Sequence, residues 1–342
     1  MSTILSIFVY GLCLLPPFFI GFFTRNYPYK QKIFITLLIF LPTFIFAALR
    51  DSSVGTDTSM YAGYFNELQI RKTFSLDQFY YYFQMLVKGS GGNFQALLFF
   101  QAMFCWIFFC LGAAKIDKKI PILTTGLLPV LLVDATFNGL RYGMAFALAI
   151  FILSRVKRPR NIFQTFLFLM PGMFHSSMLT LLLATISGVV VLGFIVMGVA
   201  LNPSLYHLFD YFFYKAYDYA DMERTSWFSG IVPVIQIAII LWIARVSGAK
   251  FKFGINLFSL ATAIAAISIL IAFYSMSALR FVQVALFLLA IAVSQEIVDD
   301  KSKGVANNLL LILGALTITN FLRQIFLVGP AGNVFFVPYI FY

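Results

Sequence analysis

Four arginines, one aspartate and one histidine stand out as the residues best suited to act on a charged substrate: Arg50, Arg141, Arg280, Arg323, Asp57 and His175. A guanidinium is planar, always charged and presents paired donors, which suits bidentate binding of phosphate. Asp57 lies in "VGTDT", two residues beyond Gly55, where a loop carboxylate can accept a proton from an attacking hydroxyl. The same aspartate also reads as an Asx-turn or as the N-cap of a helix starting near Thr58. His175, in "MFHSSM", reads either as a general base or phosphate ligand or as a hydrogen-bonding residue at a helix end, and His207 reads as structural. Three arginines have an amide at helical spacing: Asn138 before Arg141, Gln283 after Arg280, and Asn320 and Gln324 flanking Arg323.

The elements that position these groups are membrane helices. The 342 residues are 61% hydrophobic and 11% charged, with mean hydropathy +0.92. Soluble domains carry roughly 25% charged residues, so the main solvent of this chain is lipid. Apolar runs fall near 3–23, 33–49, 94–114, 120–135, 137–154, 162–174, 176–201, 227–244, 254–273, 281–298 and 305–326. Their length predicts an all-α, polytopic integral membrane protein of about 10–12 transmembrane helices, forming a single domain over 1–342. The period-two alternation of a membrane barrel is absent. The first run has no basic residue before it and reads as a retained span rather than a cleaved signal.

The net charge of +11 does not point to nucleic acid, because many basic residues sit in short turns between spans. "TRNYPYKQK", with Arg25, Lys30 and Lys32, is expected in the cytoplasm, with "KIDKK" (115–119), "RVKRPR" (155–160) and the cluster at 245–252. Two longer loops, about 50–93 and 202–226, are then external. The second has two basic residues against Asp210, Asp218, Asp221 and Glu223. An odd number of crossings must lie between 160 and 202, and short, broken helices with His175 near the outer surface satisfy this. All four arginines thereby fall at external span ends, the side that the positive-inside bias leaves poor in arginine. Charge placed there is costly, and it suggests either a shared anion or snorkelling to headgroups.

Both loops are rich in aromatics, "FYYYF" (79–83) and "YFFYKAYDY" (211–219), which suit an interfacial belt or a surface that stacks on sugar faces. Gly139, Gly143 and Ala147 form a small-residue stripe for helix packing. Cys13, Cys105 and Cys110 lie in apolar runs without metal spacing. There is no zinc motif, P-loop, dinucleotide fingerprint or lipase elbow. No pair of carboxylates within a span resembles a proton relay; Asp134, at an external end, is the nearest candidate.

Six stretches in order resemble the EpsG family of Wzy-like polysaccharide polymerases. They are "LRDSSVGTDTSMYAGYF", "SLDQFYYYFQMLVKGSGGNFQALLFFQAM", "FNGLRYGMAFALAIFILS", "FHSSML", "SALRFVQ" and the terminal "VPYIFY". The resemblance maps onto Arg50, Gly55, Thr56, Asp57, Tyr61, Asn138, Arg141, His175 and Arg280; Tyr142 stands where the family pattern has Gln. It implies a bacterial inner-membrane glycosyltransferase that joins oligosaccharide repeats carried on undecaprenyl pyrophosphate. Asp57, Arg141, Arg280 and His175 are the candidates for catalysis. Arg50, Gly55, Thr56, Tyr61, Asn138, Gln283 and Arg323 are those for substrate binding. No metal and no cofactor is expected. The expected partners are the lipid-linked oligosaccharide, the bilayer, a chain-length regulator and a flippase, and no nucleic acid. An O-antigen ligase and a transporter or flippase of the lipid-linked repeat are the alternatives, with a membrane acyltransferase further off.

Overall fold

The computed structural model describes residues 2–55, 57–67, 78–117, 119–156, 161–175, 178, 231–249, 257–272, 277–297 and 303–326. Thr56, most of 176–230, which includes the loop at 202–226, and the terminal "VPYIFY" lie outside them, as does the side chain of Arg280. Among the described residues the chain is helical and forms no sheet.

Helix α1 (Ser2–Gly21) ends in a short 3₁₀ turn, Phe22–Asn26. The run expected at 33–49 is two helices, α2 (Tyr29–Ile39) and α3 (Leu41–Leu49). Pro42 causes the break, since its ring cannot follow the preceding turn and it has no N–H to donate. The indole of Trp106 donates to the Leu37 carbonyl at 3.0 Å, so one carbonyl at the break keeps a partner inside an apolar environment. The segment 50–93 carries two short helices, α4 (Thr58–Asn66) and α5 (Gln78–Gly89). Then follow α6 (Phe94–Ile116), a wide π-type turn at Ile122–Leu127, α7 (Leu128–Phe137), α8 (Leu140–Leu153) and α9 (Ile162–Phe174). The last described helices are α10 (Ile231–Val246), α11 (Leu257–Ala272), α12 (Ser277–Glu296) and α13 (Lys303–Phe326). Four described segments are long and apolar enough to cross a membrane: Ile4–Thr24, Tyr29–Leu49, Phe94–Ile116 and Gly304–Arg323. Shorter apolar helices pack beside them, and the whole is an all-α polytopic membrane protein.

Helix α6 is the axis of the first half, packing against α2, α3 and α8, while α9 lies on α8. In the second half α11 pairs with α12 and α10 with α13, and α13 closes on the π-type turn. The three cysteines are free and buried. Gly143 of the small-residue stripe does serve packing: a methyl group there would come within 2.2 Å of the Ala135 carbonyl.

Two expectations change. Asn138 and Arg141 do not share one helix face, because α7 ends at Phe137 with Asn138 as its cap, and α8 starts only at Leu140. Lys32 is not a turn residue: it is buried inside α2, where its ammonium donates to the Asp117 backbone carbonyl beyond the end of α6. The Asp117 carboxylate accepts from the Leu123 N–H at 3.1 Å, and from the Thr124 N–H and hydroxyl at 2.7 Å each. That end of the bundle is thus a closed polar knot that fixes the entry into the π-type turn.

Candidate functional site

At the opposite end of α6 two of the four arginines each lie on an aromatic ring. Helix α3 stops at Leu49 because Arg50 turns to extended backbone. The carbonyls left over at the helix end find side chains: Arg50 Nη1 donates to Ala47 O at 2.5 Å, and the Gln95 amide donates to Ala48 O. Arg50 is fully buried, with its guanidinium carbon 5.1 Å from the centre of the Phe137 ring. A cation on a ring face is attracted by the ring quadrupole, more strongly once water is excluded.

The chain then turns through Asp51–Val54. The Ser53 hydroxyl and backbone N–H hold the Asp51 carboxyl below the usual carboxylate range. Gly55 follows with φ +105°, a conformation that suits glycine, and a methyl group there would lie 2.1 Å from the Phe137 carbonyl. The Thr58 hydroxyl donates to that same carbonyl at 2.9 Å. So the loop carrying Asp57 is pinned to the α7 terminus by contacts too close for a larger residue. Asp57 occupies the N-cap position of α4, yet its side chain makes no capping hydrogen bond. It is partly exposed.

Helix α4 then presents Tyr61, which is buried. Arg141 Nε donates to the Tyr61 hydroxyl at 3.1 Å, and the guanidinium carbon lies 5.6 Å from the Tyr61 ring centre. The Tyr61 ring meets Tyr80 of α5 edge-on at 5.8 Å. Tyr80 is buried and feels the charge of both Arg141 and Arg50. Arg141, from the first turn of α8, is thus the cation in contact with the tyrosine pair, while Arg50, at the end of α3, contacts Phe137 and the Ala47 carbonyl. His175, the cap of α9, is half-buried, with its ring 6.3 Å from that of Tyr142.

The other candidates are placed less centrally. Gln283 is exposed on α12, and Arg280 lies three residues before it on the same helix. Arg323 is exposed near the end of α13. Thr56 is outside the described residues. Asn138 reaches Asp134 rather than standing under Arg141 on a common helix: its amide donates to Asp134 Oδ1 at 2.8 Å.

Four residues not picked out as site residues hold the α7–α8 junction or the pair beside it. Asp134 also accepts from the Tyr142 hydroxyl. Gln101, buried on α6, donates to Ala135 O at 3.1 Å and to Leu140 O at 3.5 Å, so it spans the junction. Tyr80 completes the pair with Tyr61. Only Asp134 and Asn138, four residues apart, carried a spacing signal in the sequence; the rest are brought together by the turn between helices.

Chemically, guanidiniums placed on aromatic faces with phenol groups beside them form a setting for a polyvalent anion. Among the described residues no three His, Cys, Asp or Glu side chains cluster as a metal site would require. Comparison with curated proteins gives no match, nor does comparison with solved structures. The family model of EpsG matches residues 32–341, a range that takes in every element of this site. The chain therefore belongs to the EpsG family, a family of Wzy-like polymerases.

Proposed function

We propose that this protein is a polysaccharide polymerase that transfers a growing glycan from undecaprenyl pyrophosphate to the next lipid-linked repeat unit. The observation that carries the reading is Arg141 held on Tyr61, whose ring meets the buried Tyr80, with a second buried cation, Arg50, on the neighbouring Phe137. Arg141, with Arg280, grips the pyrophosphate and stabilises the charge that grows on it as it departs, and the buried Arg50 adds its positive field. Asp57 takes the proton from the acceptor hydroxyl. That oxygen bonds to the anomeric carbon as the bond from that carbon to the pyrophosphate oxygen breaks, and undecaprenyl pyrophosphate leaves with the electron pair. The missing capping bond at Asp57 leaves its carboxylate available for this role. Aromatic side chains of α4 and α5, among them the exposed Tyr64 and Tyr82, supply faces for sugars.

The site faces the exterior of a bacterial inner membrane in this reading. The basic turn around 115–119 and the arginine end lie at opposite ends of α6, as the positive-inside rule asks. Cysteine-accessibility labelling checks it: position 57 should react from outside, and reaction only from the cytoplasm defeats the orientation.

A deletion strain scored for surface glycan on a gel tests the activity. Loss of a polymerase leaves one repeat unit per anchor. Loss of a ligase leaves no glycan attached, and loss of a flippase leaves lipid-linked repeats inside; either pattern overturns the reading. Asp57→Asn should reproduce the single-repeat pattern, because asparagine keeps cap geometry but cannot take the proton.

A further inference from the structure

The junction between α7 and α8 lies directly beneath the arginine pair, and one carboxylate ties its side chains together. Asp134, on the last turn of α7, offers two oxygens. One accepts from Asn138 in the junction at 2.8 Å, and the other accepts from the Tyr142 hydroxyl in the first turn of α8. The Asp134 backbone carbonyl also takes the Asn138 and Gly139 N–H groups, at 2.9 and 3.1 Å. The Tyr142 ring folds back over Gly139 so closely that a methyl group on residue 139 would fall 1.6 Å from a ring carbon. Gly143, the next residue, packs against the Ala135 carbonyl. The first turn of α8 is therefore held to α7 by a phenol, two glycines and a carboxylate.

Arg141 is the residue immediately before Tyr142, on the same turn. Its guanidinium must reach across to Tyr61 on α4, and a rotation of this one turn about its axis would carry it off that ring. Elsewhere in a helix the backbone ladder would prevent such a rotation. Here the regular ladder gives way at Asn138–Gly139 to two N–H bonds on the single Asp134 carbonyl, and the side-chain contacts reinforce them. Tyr142 also presents its ring to His175 at 6.3 Å, which links the same clamp to the α9 cap.

We propose that Tyr142 and Asp134 are positioning residues for Arg141. They lock the first turn of α8 so that the guanidinium stays on Tyr61, in the orientation that receives the substrate anion. The clamp itself is a statement about geometry; its use in catalysis rests on the polymerase reading above. A carboxylate suits it, since both neighbours donate and Asp134 has two acceptor oxygens. Asparagine would offer only one and would set its own NH₂ against a donor.

The test uses the full-length protein in lipid nanodiscs and follows modification of individual arginines by phenylglyoxal with peptide mass spectrometry. Tyr142→Phe and Asp134→Asn should each raise the rate at Arg141 roughly tenfold, the scale set by losing a hydrogen bond to a charged group. The double variant should do no more than Asp134→Asn alone, because the bond that Tyr142→Phe removes is one of those the Asp134 carboxylate makes. Arg155, exposed after the far end of α8, should be unchanged. An unchanged Arg141 rate overturns the proposal. A rise at Arg155 as well overturns it too, since that would be general loosening of the helix. Undecaprenyl pyrophosphate added to the wild-type protein should protect Arg141. Failure to protect, with the Tyr142 and Asp134 effects intact, sinks the proposed substrate and leaves the clamp standing.

Discussion

Two buried cations at opposite ends of α6 are held in different ways. Lys32 sits beside Asp117, and the carboxylate is itself saturated by donors from Leu123 and Thr124. Arg50 lies on the ring of Phe137 and holds a carbonyl of its own helix. Arg141 lies on Tyr61 in the same way. A carboxylate neighbour offsets a cation's charge, whereas a ring face or a neutral oxygen chiefly sets its orientation. The first arrangement suits a structural staple, and the second suits binding of an anion from outside the chain.

The largest effect is expected at the staple. Asp117→Ala removes a nearby negative charge from buried Lys32 and leaves the Leu123 and Thr124 donors without their acceptor, at about 1–3 kcal/mol for each buried group left unpaired. Thermal unfolding in detergent should show it, while the protein that remains folded keeps its activity per molecule. Loss of activity without loss of stability would erase the contrast between the two ends. The staple also predicts a pH profile. Burial pushes the Asp117 carboxyl up to about 6, against which its hydrogen bonds and Lys32 work. Because the folded state holds this proton more tightly than the unfolded chain, Asp117 favours folding most at acid pH. That contribution is lost as pH rises from ~4 through 6, at about 1.4 kcal/mol per pH unit. Asp117→Asn should flatten that slope, which urea unfolding at several pH values will read.

The arginine end comes next. Arg141→Lys keeps the charge but loses the planar fork, so polymerisation should fall by ~10²–10³ at normal protein levels, leaving mainly single-repeat glycan on gels. Arg280→Lys should do the same. Wild-type chain lengths in both would mean that these arginines act as generic charges.

Gly55→Ala should cost somewhat less. The positive φ and the overlap with the Phe137 carbonyl amount to roughly 1–3 kcal/mol of strain, concentrated where Arg50 and Asp57 are positioned. Chain length should shorten more than the melting temperature falls, and the reverse would make the loop a stability element alone. Arg323→Ala should do least, changing stability by no more than about 0.5 kcal/mol and leaving near-normal glycan length, because the residue is exposed. A severe Arg323 phenotype would extend the anion site to α13 and redraw the comparison.

How legible each part was follows from how local its cause is. The helix ends at 94, 153, 162 and 174 fall within a few residues of the apolar runs, since lipid demands continuous apolar stretches. Arg50 and Arg141 could be singled out because charge next to spans is costly, Asp57 as a loop carboxylate able to take a proton, and Tyr61 through the family resemblance. The break between the runs 120–135 and 137–154 was visible, but its place at Asn138–Gly139 was not, because Gln101, far away on α6, holds the two carbonyls across it. Tyr142 was noticed for its place beside Arg141, but its bond to Asp134 crosses that break.

Composition and run length alone determined that this chain is a membrane-embedded helical bundle, because burying its apolar surface requires lipid and lipid requires satisfied backbone. Ordered motifs determined its membership in the EpsG family. Only the tertiary structure decided that Arg50 settles on Phe137 and Arg141 on Tyr61 while Arg323 stays exposed, and that Lys32 belongs to a staple. Each of these depends on where a helix stops and turns, which Pro42, Gly55 and the Asn138–Gly139 junction set through contacts between residues far apart in the chain.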